Sequence, residues 1–388
     1  MGIYGEYLDR KFNFPALATE RKSQLAKLVQ LRNRDVLVYA ADINQANAPN
    51  GVDYGDLLPV HDQLENLSGT KGVDLILETP GGAGEIAEEI VRMLRDRYED
   101  VSVIVPGCAK SAGTIMAMAA DDILMGPLSA LGPIDAQIAW QGKVFSADAF
   151  IEGLEKIKQE VTKTGSLNKA YIPVLQAISP GEIEHAQNAL DFAKDLVTDW
   201  LTRFKFKNWT THSSTGKPVT DQERAGRAKE IAKALCNQKK WRTHGRSIKI
   251  SDLEKLRLKI TDYSKQTELY DAIHRYYTLL RMTFETNIYK VFETPTSQVY
   301  RFIQPGGAMP VMQEAQPDQA IAVMETGCPQ CGARLRIQAN IGAAQPLEPG
   351  CVPFPKDNRL PCPNCGAIVD LTTHRAQVEA QAGQPIVT

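Results

Sequence analysis

No run of apolar residues in this 388-residue sequence approaches the roughly 20 that a membrane-spanning helix requires. Charge of one sign is equally lacking: 44 Lys+Arg stand against 46 Asp+Glu, a formal charge of −2, which argues against a polybasic nucleic-acid binder. The N-terminus, Met1 to Lys11, has no basic-then-apolar layout of the signal-peptide kind. Neither a P-loop lysine nor a dinucleotide glycine fingerprint occurs, so nothing resembles a nucleotide site. No repeat is evident beyond two pairs of cysteines. What remains is ordinary globular usage, 43% hydrophobic and 23% charged, which excludes disordered, collagen-like and fibrous classes. The length suits one large domain with an appendix or two modest ones, and the expected setting is soluble and cytoplasmic.

Short β-rich runs occur at Asp35–Ala40, Val73–Leu77, Val101–Val105 and Ile123–Met125. Between the second and third, Ile86, Ile90, Met93 and Leu94 recur at helical spacing, while Glu88, Glu89, Arg92, Arg95 and Asp96 take the other face. A peripheral helix is expected over residues 15–32, and an Ala/Met-rich one from Ser111 to Ala120. Strands alternating with helices predict an α/β fold with parallel pairing. Residues 147–207 read as helical with a break at Ile178-Ser179-Pro180, where Ser179 can cap, Pro180 suits the first turn and Glu182 completes a capping box. Residues 201–260 hold 16 Lys+Arg against 5 Asp+Glu. A solvated face explains this excess better than a nucleic-acid surface, because no base-reading motif accompanies it.

Two glycine-marked turns follow strands. Glu78-Thr79-Pro80-Gly81-Gly82 precedes the helix from Glu85, and Pro106-Gly107-Cys108-Ala109-Lys110-Ser111-Ala112-Gly113 precedes the Ala/Met-rich helix. Paired glycines let backbone N–H groups approach a ligand oxygen, and Ser111 stands at a sharp strand-to-helix turn among small residues. Backbone N–H groups of Gly81 or Gly82 and of Ala112 could form an oxyanion hole. Taken singly, Gly-Gly after a strand is usually only a turn, and such a serine is usually only a helix cap.

Taken together, Thr79-Pro80-Gly81-Gly82 and Ala109-Lys110-Ser111-Ala112-Gly113 resemble the oxyanion and nucleophile turns of the Clp/crotonase superfamily. Ala119–Ile123, Leu128–Asp135 and the stretch Ala225–Asp262 with Trp241–Arg246 extend the resemblance from about Asp35 to Asp262. Within the superfamily the nearest likeness is to the signal-peptide-peptidase branch and the SDH-type Clp-fold serine proteinases. The resemblance implies an α/β, ClpP/crotonase-like β-α superhelical core and an ATP-independent serine endopeptidase of peptides or unfolded proteins, assembled as a homo-oligomer. Ser111 would be the nucleophile, with Gly81 and Ala112 as oxyanion donors. The branch's lysine base corresponds to Lys169 in Gly165-Ser166-Leu167-Asn168-Lys169, one residue longer than the usual Gly-x-x-Lys. To act as a base Lys169 should be at least partly buried. The alternative is a Ser111, Asp135, His244 triad in SDH-type order, with His185 a weaker histidine. Crotonase-like acyl-CoA chemistry and a non-catalytic oligomeric adaptor are the competing functions.

Seven cysteines include Cys328-Pro329-Gln330-Cys331-Gly332 and Cys362-Pro363-Asn364-Cys365-Gly366. Four thiolates in two such knuckles predict a closed, structural Zn2+ site in a zinc ribbon, with Cys108, Cys236 and Cys351 outside it. Ten of the 22 prolines fall between residues 305 and 363. The expected organisation is an N-terminal helical segment (1–34), the peptidase domain with its basic helical part (35–300), a Pro/Gly linker (301–325), the zinc ribbon (326–375) and a tail (376–388). Substrate peptides, and not nucleic acid or membrane, are the expected partners.

Overall fold

The computed structural model describes residues 2–45, 48–69, 72–140, 143–212, 214–303, 321–382 and 384–387. In chain order the first elements are α1 (Ile3–Arg10), α2 (Phe14–Arg32), β1 (Asp35–Ala41), α3 (Leu57–Glu65), β2 (Gly72–Glu78), α4 (Gly84–Arg97) and β3 (Asp100–Val105). Then come β4 (Cys108–Ala109), α5 (Ala112–Met118), β5 (Asp122–Met125), β6 (Ala130–Leu131), β7 (Gln137–Trp140) and β8 (Lys143–Ser146). A helical stretch follows: α6 (Ala147–Thr164), α7 (Ile172–Gln176), α8 (Pro180–Trp200), α9 (Asp221–Leu235), α10 (Gln238–Trp241) and α11 (Ile250–Lys255). The chain then adds β9 (Thr261–Asp262), α12 (Thr267–Phe284), β10 (Ile288–Glu293) and β11 (Gln298–Phe302). Two compact units result, Leu28–Ile273 with Lys290–Val299, and Met1–Lys27 with His274–Tyr289 and Tyr300–Thr388.

A seven-stranded sheet has the order β11-β10-β1-β2-β3-β5-β9. The pairs β1–β2, β2–β3, β3–β5 and β5–β9 are parallel, as the alternating pattern predicts. Strands β1 and β2 are buried along their whole length, which parallel strands with both faces covered require. Antiparallel pairing of β10 with β1 departs from the parallel expectation. The strand had no clear signature because Lys290 and Glu293 interrupt it, yet both are buried.

The buried carboxylate of Asp74 in β2 is held by Arg32 Nε at 2.7 Å and Arg34 Nε at 2.9 Å. Asp35, opening β1, accepts from Ser68 Oγ, Gly69 N and Tyr98 Oη. Each buried charge is thus paired or hydrogen-bonded, the condition for leaving it inside. On α4, Ala87, Ile90, Val91 and Leu94 face the core and the charged side faces solvent. The break before α8 carries the expected cap: Ser179 Oγ accepts from Glu182 N and Glu182 Oε2 accepts from Ser179 N at 2.6 Å. Basic side chains of the 201–260 stretch are partly absorbed by local acids, as in Lys205–Asp122, Arg224–Asp221 and Arg227–Glu230.

The cysteine-bearing module comprises β12 (Ile321–Gly327), β13 (Arg334–Ile341), β14 (Val352–Pro353), β15 (Arg359–Pro361), β16 (Ile368–Asp370), α13 (Thr372–Ala382) and β17 (Ile386–Val387). Its own core contains Leu335, Ile337, Phe354, Val369, Leu371 and Val378. The module's first described strand begins at Ile321, before the expected 326, and β17 pairs with β13, so α13 and β17 belong to it instead of forming a tail. Most of the expected linker, residues 304–320, lies outside the described residues. No described helix is long and apolar enough to cross a membrane.

Candidate active site and metal centre

The two glycine-marked turns lie at the carboxyl ends of β2 and β3, where ligands bind in parallel α/β sheets. A second layer of backbone pairing joins them above the main sheet. Thr79 N donates to Cys108 O (2.9 Å) and Lys110 N to Thr79 O (3.0 Å). β4 pairs in parallel with β6, and Leu131 exchanges two hydrogen bonds with Ile248. This row draws four distant segments together: 79–82, 107–111, 130–135 and 244–248.

Ser111 has φ 49° and ψ −113°, a conformation costly for a residue with a Cβ. Its side chain makes no cap hydrogen bond to α5, so the helix-cap reading does not hold. It is half-buried at the strand-to-helix turn, the placement of an exposed nucleophile. Gly81 packs directly against it: a Cβ on Gly81 would lie 2.6 Å from Ser111 Cβ and 3.3 Å from Ser111 Oγ. Gly81 and Gly82 have φ of 113° and 142°, open to glycine alone.

The donors divide unexpectedly. Gly81 N–H is already donated to Thr79 Oγ1 at 3.1 Å. Among the described residues no acceptor is recorded for the N–H of Gly82 or of Ala112. The turn as it stands offers Gly82 and Ala112, where the sequence reading had selected Gly81 and Ala112.

Of the candidate bases, His244 and Asp135 are brought together. His244 Nδ1 lies 3.5 Å from Asp135 Oδ2. Asp135 is 6% exposed, and its other oxygen accepts from Ser146 Oγ at 2.6 Å. Lys110, the residue before Ser111, donates from Nζ to Gly245 O at 2.7 Å, tying the serine turn to the histidine turn. Lys169 is placed otherwise. It opens a single 3-10 turn between α6 and α7 and is exposed, contrary to the burial expected of a lysine base. The reason is local: neither that turn nor α7 contains a buried residue, so the ammonium keeps its water. No hydrogen bond or ion pair joins Lys169 to the Ser111 turn among the described residues. His185 is exposed on α8. Burial pushes the Cys236 thiol up to about 12, which makes it an inert core group.

Cys328, Cys331, Cys362 and Cys365 bring their sulfurs within 4.8 Å of one another. Cys328 and Cys365 sulfurs are 3.6 Å apart, and those of Cys331 and Cys362 3.7 Å. Tetrahedral thiolates around zinc stand about 3.8 Å apart, given Zn–S near 2.3 Å, so the donor set fits. The knuckles repeat the same hydrogen bonds: Cys328 N to Ala333 O and Gly332 N to Cys328 O, then Cys362 N to Ala367 O and Gly366 N to Cys362 O. Backbone N–H of Ala333 and the amide of Asn364 pull the Cys331 thiol below its ordinary value, which favours the thiolate a metal would need. Cys351 is not part of the cluster.

Comparison with known proteins adds to this geometry. Residues 63–203 match the family described as ClpP-like SDH-type serine proteinase. The uncharacterized protein MJ0137 of Methanocaldococcus jannaschii is 30% identical over 166 residues, 42% of this chain and 52% of that protein. The uncharacterized protein MJ1495 of the same organism is 32% identical over 104 residues, 27% of this chain and 36% of that protein. The matches thus span about half or less of these relatives' lengths. Among solved structures, a serine-to-alanine mutant of the 1510-N membrane-bound stomatin-specific protease superposes with TM-score 0.21 at 23% identity, covering 29% of this chain and 57% of that one. A ClpP1 mutant from Listeria monocytogenes gives TM-score 0.22 at 18% identity, covering 41% and 91%.

Proposed function

We propose that this chain, whose residues 63–203 match the ClpP-like SDH-type serine proteinases, is an ATP-independent serine endopeptidase acting on peptides or unfolded protein segments. The observation that carries the reading is Ser111, held at positive φ against Gly81 with its hydroxyl uncommitted to the helix. Ser111 Oγ attacks the scissile carbonyl, and the tetrahedral oxyanion is received by backbone N–H groups of Gly82 and Ala112. His244 takes the serine proton and returns it to the leaving amine, while Asp135 orients the imidazole and stabilises its charged form. The 3.5 Å His244–Asp135 pair and the Lys110–Gly245 bond support this choice of base over Lys169.

A Ser111–Lys169 dyad is the second reading. It draws support from the exposed apolar side chains that neighbour that lysine in sequence, Leu167, Ile172 and Val174. A second copy of the chain covering them would desolvate Lys169, so this reading requires the homo-oligomer. The cysteine module holds Zn2+ through Cys328, Cys331, Cys362 and Cys365 in a structural role, since four thiolates leave no open position.

The test is cleavage of casein and labelling by a fluorophosphonate, comparing wild type with Ser111→Ala, His244→Ala, Asp135→Asn and Lys169→Ala. Ser111→Ala is expected to abolish both signals, and His244→Ala to lower turnover about a thousandfold or more. Lys169→Ala should stay within about threefold. Loss in Lys169→Ala with an active His244→Ala would install the dyad. Cleavage surviving Ser111→Ala removes Ser111 as the nucleophile, whereas no cleavage or labelling by any of the proteins, wild type included, leaves the adaptor reading.

A further inference from the structure

Lys290 is a buried lysine that the chemistry above does not use. It lies inside β10 with 1% of its surface exposed. Its Nζ donates to Gly51 O at 2.6 Å, to Asp53 Oδ2 at 2.9 Å, and to both oxygens of Asp56 at 2.8 and 2.9 Å. Asp56 is equally buried and also accepts from Tyr39 Oη at 2.6 Å and from Asp53 N at 3.0 Å. A sheet needs no ammonium at this position for packing; an apolar side chain would fill it. The contacts explain its presence differently.

Gly51 and Asp53 flank Val52, so Lys290 grips the chain on both sides of that residue. Val52 in turn grips the oxyanion turn on both sides of Gly82: Val52 N donates to Gly81 O at 2.7 Å, and Ala83 N donates to Val52 O at 2.9 Å. Gly82's own N–H takes no part in this exchange. The approach is tight, since a Cβ on Gly82 would come within 2.3 Å of Val52 N. One fully coordinated ammonium therefore fixes Val52, and Val52 fixes the peptide groups bracketing the donor that the oxyanion needs. A glycine pair at positive φ has no side chains to hold its own orientation, so its rigidity comes from neighbouring groups, Thr79 Oγ1 at Gly81 and the Val52 backbone on either side of Gly82.

We propose that Lys290 is a positioning residue for the Gly81–Gly82 turn, acting through Gly51, Asp53 and Val52 to hold the Gly82 N–H ready for the transition state. This inference rests on the serine-peptidase reading. An oxyanion donor acts on the transition state more than on bound substrate, so its misplacement lowers kcat and leaves KM nearly alone.

The experiment measures kcat and KM on a quenched fluorogenic peptide taken from a casein cleavage site. Rates are expressed per active site counted by end-point fluorophosphonate labelling, which corrects for any misfolded fraction. Lys290→Met is expected to lower kcat per labelled site by at least about tenfold with KM within about twofold. Lys290→Met alone leaves the Asp56 carboxylate buried without its cation, so the double variant Lys290→Met/Asp56→Asn, which removes both charges, is measured beside it. The same kcat loss is expected in the double variant. An unchanged kcat per labelled site in whichever of the two folds overturns the positioning role and leaves the peptidase reading standing. Ser111→Ala retaining cleavage and labelling overturns both at once.

Discussion

At the scale of single residues, the backbone of Ser111 is the most informative quantity. Its φ of 49° is a strain of about 1–3 kcal/mol for a residue with a Cβ, of the kind that active sites retain. Ser111→Gly removes it at the cost of glycine's larger unfolded-state entropy, about 0.5–1 kcal/mol. Ser111→Gly is therefore expected to be inactive yet more stable by about 1 kcal/mol, whereas Ser111→Ala gains no such relief. Thermal denaturation of the three proteins side by side decides this; a less stable glycine variant contradicts it. At Gly82 the opposite holds, because a Cβ there collides with backbone and not with a flexible side chain. Gly82→Ala should reduce kcat about a hundredfold or more and also lower the melting temperature. Both residues were legible in the sequence, because a Pro-Gly-Gly turn and a small-residue serine turn are local patterns. The division of labour between Gly81 and Gly82 was not legible, since it depends on where Thr79 Oγ1 points.

At the scale of elements, the strand starts are held by arginines. Arg34 reaches Asp74 through Nε at 2.9 Å, Asp100 Oδ2 through Nη1 at 2.8 Å, and the carbonyls of Val73 and Asp100 through Nη2. It thereby links the first residues of β2 and β3. The hydrogen bond from Arg34 holds the Asp100 carboxyl below its usual range. A carboxyl depressed in the folded state contributes stability above its unfolded pKa, near 3.9, and loses it as pH falls through the folded value. The stability gap between wild type and Asp100→Asn should thus be widest near neutrality and close toward pH 3, measured by urea unfolding at each pH. About half of the Asp100 side chain is in water, so the gap is modest. A gap that widens on acidification contradicts the assignment. Helices α4 and α8 and strands β1, β2, β3 and β5 follow from periodicity and capping. β10 does not, because its buried Lys290 and Glu293 imitate a surface segment.

At the scale of the whole molecule, the cysteine module is expected to depend on its metal. Two knuckles of five residues each converge four sulfurs beside a small apolar core, and a closed thiolate site supplies folding free energy directly. Purified protein should carry one zinc per chain by elemental analysis. Cys328→Ser/Cys362→Ser should lose it, with amide protection falling in β12, β13, β15 and β16. Full metal content in that double variant contradicts the site. Its composition was legible because each Cys-x-x-Cys-Gly unit is a local turn, and pairing two of them needs only proximity. Its extent was not, since β17 joins β13 only through folding.

Sequence by itself determined the parallel α/β core, the serine turn, the Pro-Gly-Gly turn and the four clustered cysteines. All of these are set by short-range spacing, steric allowance at glycine, or capping within a few residues. Tertiary structure alone decided that His244 lies beside Asp135. Asp135 and His244 meet because the Leu131–Ile248 pairing bridges more than a hundred residues of chain, and Lys169 stays in water because its 3-10 turn and α7 contain no buried residue. It decided equally that Lys290 stands beneath the Val52 bridge. Such long-range placements depend on how buried surfaces and charges are satisfied collectively, and no local pattern encodes that.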